Sequence, residues 1–336
     1  MSASNQTESV TGRFSRRRAA GLLTVGAILA PWCARAQPAA SAAPLAPATP
    51  PVGDAAAPDV VAAKDLQDRM TVPVMVDGKG PYAFIVDTGS NRSAVSDALV
   101  QTLGLVSAGQ LVVQTATAQG VADSVNVGRL SVGVRETRDL RAPVFKREDI
   151  GADGLLGIDA LADQKIVMDF RAKQMSILAS SARDGPGEVV VSARSRYGQL
   201  ILVDSSFDDT DLYVVIDTGG EASIANSRFR ALVQRKRREQ VAVGQVISVT
   251  GVAADADFDV LPRVRVGGVQ LFNLPVAYAD VHAFEEFGLQ SRPAMLLGMD
   301  VLRHFDRVSV DFKARRVRFL LPADALPPDQ VPITVG

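Results

Sequence analysis

The sequence predicts an all-β chain made of two equivalent halves. Valine recurs in short apolar runs, and β-branched residues suit the pleated, half-buried surface of a strand. Polar turn residues separate those runs, which is the pattern of hairpins. The chain also repeats itself: four landmarks of the first half return in the same order in the second. A length of 336 residues is enough for roughly two domains of about 100–200 residues. A hydrophobic content of 47% lets each bury a core of ordinary size.

The first 36 residues read as an address. Arg16-Arg17-Arg18 precede an apolar stretch, Ala19 to Trp32, too short to span a membrane comfortably. Ala34-Arg35-Ala36 then supplies a small-x-small cleavage pattern. This layout predicts a signal peptide over 1–36, cleavage after Ala36, and export to the periplasm or beyond. The arginine run resembles a twin-arginine signal, although Ala19 and Ala20 replace the usual bulky residues. An uncleaved anchor is the alternative; with cleavage, no stable membrane insertion is expected. Residues 37–62 carry six prolines among Ala, Ser, Val and Gly, and proline prevents a continuous helix. They read as a linker outside the fold.

The first half is expected over 63–182. An apolar run, Thr71–Val76, leads through Asp77-Gly78-Lys79-Gly80 to a second run, Tyr82 to Val86, which ends at Asp87-Thr88-Gly89-Ser90. A hairpin is expected between the strands at Leu111–Val113 and Ser124–Val127, with Thr117, Ala118, Gln119 and Gly120 at its tip. Asp153-Gly154-Leu155-Leu156-Gly157-Ile158-Asp159 follows, then strands at Lys165–Phe170 and Met175–Leu178.

The second half, over 183–330, repeats these landmarks. Leu200–Val203 and a polar stretch, Asp204 to Asp211, precede Leu212 to Ile216 and Asp217-Thr218-Gly219-Gly220. A helix is expected from about Ser227 to Glu239, where Arg235-Lys236-Arg237-Arg238 read as a solvated face. A second hairpin tip falls at Thr250 and Gly251. Met295-Leu296-Leu297-Gly298-Met299-Asp300 then matches the first Leu-Leu-Gly segment, and strands at Arg307–Phe312 and Val317–Leu321 close the chain. Asp87 and Gly157 are 70 positions apart, Asp217 and Gly298 81. A lone Asp-Thr-Gly reads as a strand ending in a turn. Paired copies, each with its Leu-Leu-Gly partner, point to a built site.

Other chemistries are poorly supplied. The sole cysteine, Cys33, lies in the leader, so the body offers no thiol nucleophile or disulfide. His282 and His304 are the only histidines and lack ligand spacing, so no metal is expected. No Gly-x-Ser-x-Gly elbow occurs. The leader carries a net charge of +4 and the rest of the chain −5, with no basic-aromatic surface pattern. Nucleic acid is therefore not an expected partner.

The paired Asp-Thr-Gly and Leu-Leu-Gly segments resemble aspartic peptidases of the pepsin and retropepsin group, most closely the bacterial retropepsin-like proteins. The resemblance covers about residues 65–325. It implies a bilobal all-β fold of two barrel-like lobes with short helices, and endopeptidase hydrolysis without a cofactor. Asp87 and Asp217 would be the catalytic pair. Thr88 and Thr218 would interlock the two loops, Gly89 and Gly219 would bring amide donors to the acids, and Gly157 and Gly298 would let the Leu-Leu-Gly segments pass close behind them. The hairpin tips would be flaps over a peptide or an extended protein segment. With both acids in one chain, a monomer is expected. Gly220 departs from the resemblance: Ser90 is expected to hydrogen-bond its neighbouring aspartate, and Gly220 cannot. The alternative reading is a catalytically silent or single-target peptide-binding protein of the same fold.

Overall fold

Asp77 and Gly78 both adopt positive φ, 50° and 78°, so the first hairpin closes in a two-residue turn of the kind that matches strand twist. Its strands, Arg69–Val76 and Lys79–Val86, meet this turn directly, and the loop is shorter than the expected Asp77–Gly80. The computed structural model describes residues 59–62, 64–66, 69–114, 119–133, 135–161, 164–180, 185–196, 199–237, 241–247, 253–323 and 330–332. Residues 55–336 form one compact unit. Among the described residues the chain is mostly strand, with six short helices. None of those helices is long and apolar enough to cross a membrane.

The repeat becomes two equivalent lobes. In the first, the strand ending at Val86 pairs in parallel with Gly154–Leu156, with Ile85 opposite Leu155. In the second, Tyr213–Ile216 pairs in parallel with Ala294–Leu297, with Val215 opposite Leu296. Parallel strands need a long crossover connection, here supplied in each lobe by antiparallel strands and two short helices. These strands are apolar on both faces because both are covered. Val86 and Leu156 join the main core, while Ile85 and Leu155 belong to a smaller cluster on the other side.

The lobes share one run of strands, in the order Asp59–Ala62, Gln174–Ala179, Gln164–Asp169, Arg307–Asp311, Arg316–Leu320, Glu188–Arg196. The order is symmetric about its centre. There Val167 faces Ser309, with Lys165 opposite Asp311 and Asp169 opposite Arg307. Equivalent strands of the two halves therefore pair with each other across a pseudo-twofold axis. The first strand corrects the reading of 37–62 as linker throughout. Past Pro58, Val60 and Val61 are free to pair, and Asp59–Ala62 aligns with Gln174–Ile177.

Two further expectations change. The polar stretch Asp204–Asp211 is a small hairpin, Ser205–Phe207 with Thr210–Asp211. It forms because Phe207 is buried edge-on against Phe229, with ring centroids 5.4 Å apart. The helix is Ser227–Lys236, capped by Asn226, whose side chain accepts from Phe229 N. Arg235 and Lys236 are exposed as expected. Arg237 is not on a solvated face: it ends the helix and pairs with the buried Asp259.

Candidate active site

Each Asp-Thr-Gly loop begins where its parallel strand pair ends. Asp87 N donates to Leu156 O and Asp217 N to Leu297 O, both at 3.0 Å. The Leu-Leu-Gly strand thus holds each aspartate at the end of a rigid element. The two loops then lock together. Thr88 Oγ1 donates to Ile216 O at 2.9 Å, and Thr218 Oγ1 donates to Val86 O at 2.6 Å. In return, Thr88 N donates to Thr218 Oγ1 at 3.0 Å and Thr218 N to Thr88 Oγ1 at 3.2 Å. Both threonines are buried. Each of these bonds spans about 130 residues of chain, so the grip joins the two lobes.

The glycines bring the carboxylates together. A methyl group at Gly89 would lie 2.8 Å from Asp217 Oδ1 and 3.3 Å from Asp87 Oδ1. A methyl at Gly219 would lie 2.3 Å from Asp87 Cγ. Each glycine therefore sits against the aspartate of the opposite loop, and a side chain would push the pair apart. Their amides point inward: Gly89 N donates to Asp87 Oδ1 at 2.9 Å and Gly219 N to Asp217 Oδ1 at 3.1 Å.

The fourth loop position differs from expectation. Ser90 Oγ donates to Arg92 O at 2.8 Å, and a hydroxyl has one hydrogen to give. The Ser90 hydroxyl is therefore not a donor to the Asp87 carboxylate. Gly220 instead uses its amide, which donates to Asp217 Oδ1 at 3.1 Å. A methyl there would lie 2.9 Å from Asp217 Oδ2. Glycine at this position is a close-approach residue that lets the loop fold onto its own acid.

Gly157 and Gly298 behave as expected. A Cβ at Gly157 would meet Arg92 C at 2.4 Å, and one at Gly298 would meet Ala222 C at 2.7 Å. Behind each loop stands a support that sequence reasoning missed. Ser93 donates to Asp159 through both N and Oγ, and Ser223 donates to Asp300 in the same way. Gly157 N and Gly298 N donate to the two serine hydroxyls, each at 3.0 Å. Burial pushes the Asp300 carboxyl up, and the Ser223 hydrogen bonds oppose that shift. The signal was present: both serines and both aspartates recur at matching offsets in the repeat.

The loops open into a cleft of about 620 Å³ lined from both lobes, with Asp87, Asp217, Gly89, Gly219 and Gly220 at its floor. Val112 and Val113 of the strand Ser107–Gln114 line it, as do Val246 and Ile247 of the strand Ala242–Ile247. Gln119 and Gly120 begin the strand Gln119–Val132 and pair with Gln114 and Val113. Thr117, Ala118, Thr250 and Gly251 lie outside the described residues. One feature breaks the twofold symmetry. Gln199 Nε2 donates to Gly89 O at 3.2 Å and to Asn91 Oδ1, and Asn91 Nδ2 donates to Glu286 Oε1 at 2.7 Å.

An all-β, two-lobed protein with paired carboxylates on interlocked loops at the floor of the interlobe cleft is the class defined by this architecture. An aspartyl protease family model matches residues 72–160 and 203–301, one segment in each half and together more than half of the chain. The chain belongs to the aspartyl protease family. No curated protein matches it.

Proposed function

We propose that the protein is an aspartic endopeptidase that cuts extended peptide segments with a water held between Asp87 and Asp217. The observation that carries this reading is the convergence of both carboxylates on the glycines of the opposite loops. Two carboxylates this close share one proton, because both cannot ionise comfortably at once. The charged member takes a proton from the water as the water oxygen bonds to the scissile carbon, the protonated member polarises the carbonyl, and a proton from the pair passes to the leaving amine as the C–N bond breaks. The pair titrates as a unit. The glycine amides hold the acids in place, and the threonine grip fixes the distance between the loops. The flap stems bring exposed apolar side chains to the cleft, with Val112 and Ile247 on opposite lobes. Strand edges recognise an extended backbone through main-chain hydrogen bonds.

The leader supports export, with the peptidase working outside the cytoplasm. Both acids in one chain support a working monomer. The test compares residues 37–336 with the Asp217→Asn variant on a diverse peptide library, from acid to neutral pH. Cleavage that disappears in the variant is expected. Equal turnover by both would overturn the dyad. Binding without turnover by the wild type would mean a peptide-binding protein instead.

A further inference from the structure

We propose that Glu286 forms a cation-selecting subsite beside the dyad, which takes a substrate lysine or arginine. This rests on the peptidase reading and adds to it the class of side chain preferred.

Glu286 ends the short helix His282–Glu286, and it lines the same cleft as Asp87 and Asp217. The surrounding wall is apolar. Ala283, Phe287, Ile224 and Leu296 all line the cleft and belong to one hydrophobic cluster. An apolar wall ending in a carboxylate matches a long aliphatic stem with a cationic head, as Lys and Arg present. A purely apolar side chain would instead leave the half-buried acid facing hydrocarbon, and a substrate acid would meet like charge.

The carboxylate is held in place, as a selecting group must be. Gln199, buried in the second lobe, donates to Asn91 Oδ1, which turns the Asn91 amide toward Glu286 Oε1. Asn91 follows directly from the Asp87 loop, so Glu286 is anchored to the loop that carries one catalytic acid. A carboxylate has two oxygens and about four acceptor positions, and the Asn91 amide takes one of them, at Oε1. Burial also raises the Glu286 carboxyl from its ordinary value, against the opposing effects of Asn91 and His282. A desolvated acid interacts more strongly with an incoming cation than a fully hydrated one does.

The repeat shows that this arrangement is particular to one side. The position equivalent to Asn91 is Glu221 in the second loop, so the amide bridge has no counterpart there. Among the described lining residues outside the dyad, the charges are Arg92, Asp149, Glu221 and Glu286. That balance is acidic and draws cationic substrate toward the cleft.

The experiment uses paired peptides that differ only by lysine or norleucine, with that residue walked through every position around the scissile bond. Wild type is expected to favour the lysine peptide at one position by roughly tenfold or more in kcat/KM, the scale of a charge-assisted hydrogen bond. Glu286→Gln should bring that ratio close to one, and Glu286→Lys should shift preference to a glutamate peptide. The same pairs are also bound to Asp217→Asn, alone and combined with Glu286→Gln, by fluorescence anisotropy. An affinity ratio near one in Asp217→Asn, or a ratio untouched by Glu286→Gln, would overturn the subsite. Equal loss for both peptides in Glu286→Gln would mean a structural role and would overturn it as well. Absence of cleavage by wild type would defeat the peptidase reading alone, since the affinity ratios still decide the subsite.

Discussion

A methyl group added to Gly219 would lie 2.3 Å from Asp87 Cγ and 2.5 Å from its Oδ1. The obstacle is a carboxylate held by the Gly89 amide, so the alanine must displace one of the two acids. Gly219→Ala is expected to fold, by circular dichroism, and to lose on the order of 100-fold or more in kcat, since misplacement of reacting groups by about 1 Å costs that much. Retained activity would show that the loops tolerate wider spacing. Asp300 supports the same loop from behind and allows a test by pH. Its carboxyl is raised above 3.8 by burial, so the folded protein holds that proton more tightly than the unfolded chain. The resulting stability is fully present below about 3.8 and is lost as pH rises through the folded value. Asp300→Asn removes this proton. The unfolding free energy of wild type minus that of the variant should therefore fall with rising pH across that window. A flat difference in urea melts at several pH values would contradict it.

At the scale of elements, the two Asp-Thr-Gly loops act as one unit. Each threonine hydroxyl donates to the carbonyl that precedes the other aspartate and accepts the amide of the other threonine. Replacing Thr88 by valine leaves a buried amide and a buried carbonyl without these partners. The expected cost is about 1–3 kcal/mol per unsatisfied group, read from urea unfolding. Serine retains the hydroxyl and should cost less than valine. Because both threonines belong to one network, the Thr88→Val and Thr218→Val effects should not add in the double variant. Additive losses would mean that the loops are held independently.

At the scale of the molecule, the central sheet decides how the lobes behave. Gln164–Asp169 and Arg307–Asp311 pair over five residues, and each belongs to a different half of the repeat. The main hydrophobic cluster likewise runs from Val72 and Phe84 through Ile166 and Val308 to Leu261 and Leu271. With a continuous core and a shared sheet, neither lobe can open without exposing apolar surface of the other. Thermal unfolding of residues 55–336 should therefore be a single transition, with calorimetric and van't Hoff enthalpies in agreement. Two resolved transitions would mean that the lobes are independent folding units joined only by contact.

Fold class, the twofold repeat and both aspartates were legible in the sequence, because each rests on local pattern. Valine runs mark strands, and Asp-Thr-Gly with Leu-Leu-Gly is a motif of adjacent residues that occurs twice. Ser93, Ser223, Asp159 and Asp300 were legible in principle, by offset within the repeat. The strand Asp59–Ala62 was hidden by the proline-rich composition just before it, and the hairpin Ser205–Phe207 by polar neighbours that mask one buried phenylalanine. Gln199, Asn91 and Glu286 had no sequence signal at all. They lie far apart in the chain, on a side of the cleft where the two halves differ, and neither periodicity nor repetition marks such residues. The residue types and their order thus determined which groups could do chemistry. Only the tertiary structure decided which of them meet, because packing across the pseudo-twofold axis brings together positions that chain distance keeps apart.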